Sequence, residues 1–209
     1  MAIVGRKFPN VAVNAMSEMG ETIQINVLEE AVKNKKKVLL FWYPKDFTFV
    51  CPTELHAFQE ALPEFEARNT IVIGASVDTA EVHFAWLNTP KDQGGIEGVT
   101  YPILADTNRN LSLQLGILDG IRPEGDERGL IQGDDVTYRA TFLIEEDGTV
   151  FHESVNHMPL GRNVGEYLRL IDAYAHVQEH GEVCPANWEE GKEAMNANRD
   201  GVASYLSNH

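Results

Sequence analysis

The sequence predicts an α/β protein with a central mixed β-sheet flanked by helices. Two mostly apolar segments, Val38–Trp42 and Thr70–Asp78, have the length of buried strands. A helical pattern separates them, and strand, helix and strand in this order form a βαβ unit with two parallel strands. The turn residues Glu145–Gly148 lie between two further strand-like segments, so they indicate a hairpin and therefore antiparallel strands as well.

One domain with an additional arm is expected from the size of the chain. Its 209 residues are 43% apolar, which is enough for one sizeable core. We expect residues 1–165 to form the domain. Residues 166–209 should then form a C-terminal helix and arm that belong to the same structural unit.

Charge and hydropathy exclude two classes of partner. The chain has 32 acidic and 17 basic residues, a net charge of −15, so its surface should repel phosphate backbones and anionic lipids. We therefore expect neither nucleic acid nor a membrane as a partner. The N-terminus lacks the pattern of a secretory signal, and no apolar segment reaches membrane-spanning length, so a cytoplasmic location is expected.

The N-terminal elements precede the first buried strand. Val11–Asn14 and Thr22–Asn26 alternate loosely between apolar and polar residues, and Gly20 lies between them as a turn residue, which predicts a small hairpin. The segment Glu29–Lys37 has four lysines among its last five residues. This charge pattern is typical of the end of a short solvated helix.

Cys51 lies where the first buried strand gives way to a helix. Pro44 ends the strand, and Pro52 suits the first turn of the helix. The apolar residues at helical spacing that follow are Leu55, Phe58, Leu62 and Phe65. Unpaired N–H groups and the helix macrodipole at this position favour a thiolate over a thiol. The alternative is an inert core residue, since free cysteine is often buried.

Three further elements follow from local patterns. Pro63 predicts a kink in the helix that begins at Cys51. Glu81–Leu87 predicts a short helix, and the apolar residues proposed for its buried stripe are Val82, Trp86 and Leu87. Asp119–Asp135 has four glycines and six acidic residues without apolar periodicity, which predicts a long loop.

The C-terminal third predicts two strands and one long helix. The strands are Tyr138–Ile144 and Thr149–Val155, and the helix covers Val164–Gln178. His176 and His180 are four residues apart and could share a metal ion, but no third ligand is evident, so a solvated face is the better interpretation.

The motif around Cys51 resembles the active-site signature of the peroxiredoxins. It reads Pro44-x-x-x-Thr48-x-x-Cys51 and continues with Pro52, Thr53 and Glu54. More narrowly, it is similar to the typical two-cysteine branch, which includes the alkyl hydroperoxide reductase C subunit. The resemblance implies a thioredoxin-like fold with an N-terminal hairpin and a C-terminal arm. It also implies a thiol-dependent peroxidase that reduces hydrogen peroxide and organic hydroperoxides and serves antioxidant defence.

The resemblance assigns roles to individual residues. Cys51 would be the peroxidatic cysteine, which becomes a sulfenic acid. Thr48 and Arg139 would polarise the peroxide, and Pro44 would shield the sulfur from water. Glu54 and Arg162 would orient Arg139. Trp86 belongs to a second similar motif, Trp86-x-Asn88-Thr89-Pro90-Lys91, and would form a wall of the active-site pocket.

Cys184 lies in a segment, Gly181-Glu182-Val183-Cys184-Pro185, that resembles the resolving-cysteine segment of the same branch. The resemblance implies that Cys184 forms an intersubunit disulfide with Cys51 of the partner subunit. Homodimers, assembling as five dimers into a decamer, would follow. The electron donor would be thioredoxin or a dedicated disulfide reductase, and neither a cofactor nor a metal is implied.

Two other functions are considered. A ring-forming holdase chaperone is known among similar proteins and could coexist with the peroxidase. A cysteine hydrolase would pair Cys51 with a histidine such as His83 or His157, and it is the weaker alternative because no oxyanion-hole motif is evident. A dithiol oxidoreductase would have Cys-x-x-Cys at this junction, where this chain has Thr48 at the first position.

Overall fold

The computed structural model describes residues 2–17, 19–121 and 131–209. The chain divides into two compact units, Met1–Arg162 and Asn163–His209. The division falls three residues before the boundary expected from the sequence, and a single structural unit spanning both parts stays a prediction. In the described residues, no helix is long and apolar enough to cross a membrane.

The first unit contains a seven-stranded mixed sheet. Its strands are β1 (Ala12–Met16), β2 (Thr22–Asn26), β3 (Lys37–Trp42), β4 (Thr70–Ser76), β5 (Ile103–Ala105), β6 (Arg139–Ile144) and β7 (Val150–Asn156), in the spatial order β2-β1-β5-β4-β3-β6-β7. β3, β4 and β5 are parallel neighbours, and the remaining pairs are antiparallel. The predicted α/β class, the mixed sheet and the N-terminal hairpin of β1 and β2 are therefore confirmed.

Seven α-helices lie in the described part of the chain. Those of the first unit are α1 (Val27–Asn34), α2 (Cys51–Glu60), α3 (Leu62–Ala67), α4 (Ala80–Leu87) and α5 (Asn110–Leu115), and those of the second are α6 (Val164–His180) and α7 (Arg199–Asn208). The kink predicted at Pro63 is a break between α2 and α3 at Ala61. It occurs because proline lacks the N–H that would continue the hydrogen bonding of the helix.

The centre of the sheet carries the core and positions the site. β3 lies between β4 and β6, and all residues from Val38 to Trp42 are fully buried. Leu40 and Trp42 point into the same cluster as Ile73 of β4 and Phe142 of β6. Burial on both faces explains the unbroken apolar segment of β3, and it places the end of this strand, where the chain turns towards Cys51, inside the protein.

The buried face of α4 differs from the predicted one. Ala80, His83 and Trp86 are buried, whereas Val82 and Leu87 are only partly so. The prediction was correct for Trp86 and wrong in taking Val82 and Leu87 as its buried companions. A polar His83 occupies the interior because its partners come from another segment, and helical periodicity does not reveal these partners.

The predicted loop Asp119–Asp135 includes residues 122–130, which lie outside the described residues. Its two ends pair through isolated bridges between Ile121 and Gln132 and between Leu118 and Thr137. The returning end forms an ion pair from Asp134 to Lys45 at 3.3 Å, so it contacts the loop that leads to Cys51.

The second unit contains α6, a returning segment and α7. Asn163 caps α6, and Gly181 ends it with a positive φ of 67°, a conformation that glycine adopts without strain. The long helix predicted at Val164–Gln178 is therefore confirmed. Val183 then pairs with Met195 through two backbone hydrogen bonds, and the side chain of Trp188 is buried.

Candidate active site

Cys51 is the first residue of α2, and its side chain is fully buried. β3 ends at Trp42, and a loop of eight residues brings the chain back to the start of the helix. The first N–H groups of a helix have no partner within the helix, so the sulfur lies at a position that favours negative charge. Pro52 occupies the second helical position, where its missing N–H has no cost.

Thr48 contacts the sulfur from the loop. Its Oγ1 lies 2.9 Å from Sγ of Cys51 and 3.0 Å from the carbonyl oxygen of Lys45. A hydroxyl has one proton to donate, so it can donate to the sulfur or to the carbonyl, and a bound substrate oxygen could take either place. Thr48 is therefore a donor that can change its acceptor during a reaction.

Arg139 approaches Cys51 from the sheet. It is the first residue of β6, and its Nη1 lies 3.3 Å from Sγ of Cys51 and 2.7 Å from Oε2 of Glu54. Its Nε donates to the carbonyl oxygen of Met158. Because the guanidinium group is planar, these contacts on several sides orient it towards the sulfur.

Glu54 lies between two arginines. Arg162 donates from Nε to Oε1 and from Nη2 to Oε2 of Glu54, both at 2.8 Å, while Arg139 donates to Oε2 as well. The side chains of Glu54, Arg139 and Arg162 are no more than 4% exposed. The remaining acceptors of Arg162 are neutral, the carbonyls of Trp42 and Ala140 among them.

The charges of this buried group do not balance without the cysteine. Two guanidinium groups face one carboxylate, and in the described part of the chain no second carboxylate joins them. An unpaired buried charge is costly, so the group favours one further negative charge close to Arg139. The Cys51 sulfur lies 3.3 Å from Nη1 of Arg139, at the place where such a charge would be needed.

Trp86 lies next to the loop that leads to Cys51, and Pro44 is part of that loop. Trp86 is fully buried and donates from Nε1 to the carbonyl oxygen of Gly94 at 2.9 Å. Its ring lies 5.8 Å from that of Phe47 and 5.9 Å from that of Tyr43, centroid to centroid. Pro44 is buried in the same loop. Both residues therefore shape the loop that leads to Cys51.

A buried polar network behind the loop was missed by the sequence analysis. Tyr43 donates from its hydroxyl to Oδ1 of Asp46 at 2.7 Å, and Oδ2 of Asp46 lies 2.7 Å from Nδ1 of His83. The backbone N–H of Asp46 donates to Asp78 at 2.7 Å. Burial and the charge of Asp46 raise the pKa of Tyr43 well above its usual value. The network fixes the loop to α4 and to the end of β4.

The same network bears on the hydrolase alternative. His83 contacts Asp46 and the carbonyl oxygen of Leu104. Within the described residues, the hydrogen-bonding partners of the Cys51 sulfur are Thr48 and Arg139. No histidine is among them, so the described residues do not form the cysteine–histidine pair that a cysteine hydrolase uses.

Cys184 lies in the second unit. It is partly buried, and its thiol donates to the carbonyl oxygen of Ala173 at 3.5 Å. Burial raises the pKa of the Cys184 thiol. Both cysteines are free thiols in this structure.

The histidine pair of α6 forms contacts other than a metal site. Nε2 of His176 lies 3.0 Å from Oε2 of Glu182, and the rings of His176 and His180 meet edge to face with centroids 4.4 Å apart. Over the part of the chain that the structure describes, no three potential ligand side chains are grouped in a way that could hold a metal ion.

Comparison with known proteins identifies the family. The model of the AhpC/TSA family matches residues 4–153, and that of the C-terminal domain of 1-Cys peroxiredoxin matches residues 173–208. Alkyl hydroperoxide reductase C of Helicobacter pylori is 44% identical over 172 residues, which are 82% of this chain and 80% of that protein. Peroxiredoxin-1 of Gekko japonicus is 38% identical over 208 residues, which are 100% of this chain and 97% of that protein. The crystal structure of reduced 2-Cys peroxiredoxin from Plasmodium vivax has a TM-score of 0.88 at 38% identity, covering 99% of this chain and 100% of that chain.

Fold, site and relatives together define a thiol-dependent peroxidase with a thioredoxin-like fold. More particularly, the chain belongs to the AhpC/TSA family of peroxiredoxins. The family resemblance and the thioredoxin-like fold predicted from the sequence are thereby confirmed. None of these similarities supports a holdase or a cysteine hydrolase.

Proposed function

We propose that the chain reduces hydrogen peroxide and organic hydroperoxides with Cys51 as the peroxidatic cysteine. One observation carries the assignment. The buried sulfur of Cys51 lies 2.9 Å from the hydroxyl of Thr48 and 3.3 Å from the guanidinium of Arg139, in a group that is one negative charge short. This arrangement favours a thiolate, which is the reactive form of cysteine.

In the first step, the Cys51 thiolate attacks one oxygen of the peroxide. An S–O bond forms and the O–O bond breaks, so the sulfur is oxidised to a sulfenic acid and the other oxygen leaves as an alkoxide or hydroxide. The leaving oxygen takes a proton and departs as an alcohol or water. Donors that stabilise the developing charge lower the barrier most when they are already oriented, as Arg139 is by Glu54.

The other residues around Cys51 support this step by their positions next to the sulfur, the loop and Arg139. Thr48 can transfer its hydrogen bond from the sulfur to the peroxide oxygen, because it already has two acceptors in reach. Pro44 and Trp86 are buried, and in this mechanism Pro44 shields the sulfur from water while Trp86 forms a wall of the pocket. Arg162 fixes both oxygens of Glu54 and so keeps Arg139 in place.

The second step uses Cys184 of the partner subunit. Its sulfur attacks the sulfenic sulfur of Cys51, an S–S bond forms, and the S–O bond breaks to release water. An external dithiol then reduces the disulfide by two exchanges. We infer that this donor is thioredoxin or a dedicated disulfide reductase, that the dimers assemble into a decamer, and that the protein acts in the cytoplasm.

The test is one equivalent of hydrogen peroxide added to reduced wild type, Cys51→Ser and Cys184→Ser. Non-reducing electrophoresis and mass spectrometry then report the products. We expect a dimer linked between Cys51 and Cys184 in wild type only, and a trapped sulfenic acid on Cys51 in Cys184→Ser. Failure of Cys51 to oxidise under these conditions would refute the proposed mechanism.

A further inference from the structure

The chain that follows α6 folds back onto this helix. The thiol of Cys184 donates to the carbonyl oxygen of Ala173 on α6 at 3.5 Å. The backbone N–H of Trp188 donates to Pro185 at 3.2 Å, which closes a turn, and the Trp188 indole donates to Lys192 at 3.0 Å. The turn therefore runs from Pro185 to Trp188, and Cys184, which directly precedes it, contacts α6 through its thiol.

Arg169 contacts this turn from the helix. It lies four residues before Ala173, so the two share a face of α6. Its Nε and Nη2 donate to the two oxygens of Glu166 at 2.7 Å each, and its Nη1 donates to the carbonyl oxygen of Trp188 at 2.9 Å. One guanidinium is therefore oriented by a carboxylate of its own helix and directed at the turn that follows Cys184.

We propose that Arg169 is a positioning residue for the resolving step. It holds the turn Pro185–Trp188, and with it the neighbouring Cys184, on α6, and it presents a positive charge to the Cys184 sulfur. The proposal rests on the proposed function, in which Cys184 attacks the sulfenic acid. Arg169 would act by raising the share of Cys184 that is thiolate before the attack.

The charges around Cys184 oppose one another. Burial raises the pKa of the Cys184 thiol, the charge of Glu182 raises it further, and the charge of Arg169 lowers it. Glu182 is held by His176 at 3.0 Å. Glu166 and Glu189 act on Arg169, and Lys192 pairs with Glu189 at 2.9 Å.

The charges around Cys184 affect the rate of the resolving step. The attacking species is the Cys184 thiolate, which donates an electron pair to the sulfenic sulfur while the S–O pair leaves as hydroxide and takes a proton. The rate therefore follows the thiolate fraction of the attacking cysteine. Without Arg169, burial and Glu182 would act unopposed and reduce that fraction at neutral pH.

The experiment measures the thiolate of Cys184 directly. In the Cys51→Ser protein, Cys184 is the single remaining thiol, and its alkylation by iodoacetamide is followed by mass spectrometry as a function of pH. Arg169→Gln should move the alkylation midpoint to higher pH and slow the reaction at neutral pH up to about fivefold. Arg169→Lys should have an alkylation midpoint close to that of the Cys51→Ser protein. Glu182→Gln, which can still form a hydrogen bond with His176, should move the midpoint to lower pH.

The variants separate charge from packing. If Arg169 only packs the turn, both Arg169→Gln and Arg169→Lys loosen it, and the freed thiol reacts faster. That result, or equal midpoints in all variants, would overturn the proposal. Because alkylation needs no peroxide and no partner subunit, the outcome does not depend on the peroxidase cycle. In the two-cysteine protein, the rate of disulfide formation should follow the same order of variants.

Discussion

At the scale of single residues, the donors around Cys51 come from different parts of the chain. Thr48 precedes the cysteine by three positions, whereas Arg139 lies 88 positions away. The short separation is visible in a sequence motif. The long one depends on β6 being the neighbour of β3, which brings the first residue of β6 next to the site.

Thr48→Val should slow the reaction of Cys51 with peroxide on the order of a hundredfold, since it removes an oriented donor and keeps the shape of the side chain. Thr48→Ser retains the hydroxyl and is the matched control. Stopped-flow kinetics of sulfenic acid formation measures both. Equal rates in the valine and serine variants would show that the hydroxyl plays no part.

Glu54→Gln should lower the free energy of unfolding by about 3 kcal/mol or more, because it leaves two buried guanidinium groups without their carboxylate. Chemical denaturation of the reduced protein measures this change. Glu189→Gln is the control, since its pair with Lys192 is 56% to 63% exposed and should contribute less than about 1 kcal/mol. A loss as small as that of the control would contradict a buried ion network.

The buried side chains of Tyr43 and Tyr101 should make the stability of the fold depend on pH in the alkaline range. Burial raises the pKa of both well above the usual value, so the folded protein retains protons that the unfolded chain releases near pH 10. Their contribution to stability is therefore complete below about pH 10 and is lost as pH rises further. Tyrosinate absorbance and circular dichroism, compared between wild type, Tyr43→Phe and Tyr101→Phe, should show both residues ionising only as the fold is lost. Ionisation of either one in the folded protein would contradict this.

At the scale of elements, α2 is attached unevenly. Its body is held by contacts with the segments before β5. Among them, Tyr101 donates to the Leu55 carbonyl at 2.8 Å, the backbone N–H of Thr100 donates to Gln59 at 2.8 Å, and the ring of His56 lies 3.1 Å from the Gly95 carbonyl. Its first turn is held through Glu54 and the contacts of the sulfur itself.

Disulfide formation should therefore unwind only the first turn of α2. Cys51 is fully buried, so its sulfur must become accessible before a second subunit can reach it. Unwinding of residues 51–54 removes the acceptors for the N–H groups of residues 55–58. Hydrogen exchange should increase at 55–58 in the oxidised protein and stay unchanged in α3. Peroxide-treated Cys184→Ser is the control, and faster exchange through α3 would show that the whole segment opens.

The ends of the long loop form another feature at this scale. Asp134 reaches Lys45 at 3.3 Å, and Nε of Arg109 lies 2.8 Å from Asp135. The sequence predicted a loop here because the segment lacks apolar periodicity. It did not predict that the returning end would contact the loop before Cys51, since that contact depends on the position of β3 relative to β6.

At the scale of the whole molecule, assembly follows from the proposed disulfide, because Cys51 and Cys184 would come from different subunits. We expect sedimentation velocity of the reduced protein to show a particle about ten times the mass of the 23.3 kDa chain. The oxidised protein is the comparison, and we expect its assembly to be looser. A species no larger than a dimer at every concentration would contradict the decamer.

The sequence by itself determined the type of most elements and the position of Cys51 at a helix N-terminus, whereas β5 and α7 were not predicted from it. These features depend on local periodicity, on proline and on glycine, whose effects extend over a few residues. The motif resemblance added Arg139, Glu54 and Arg162 as expected neighbours of Cys51.

Only the tertiary structure decided how the charges are arranged. Glu54 meets Arg162 across 108 positions of sequence, and His83 is buried because Asp46 lies 2.7 Å from its ring. A charged or polar side chain enters the interior only where partners from distant segments offset its desolvation. No local pattern contains that information, so the sequence suggested Val82 and Leu87 for the buried face of α4, where the folded chain has Ala80 and His83.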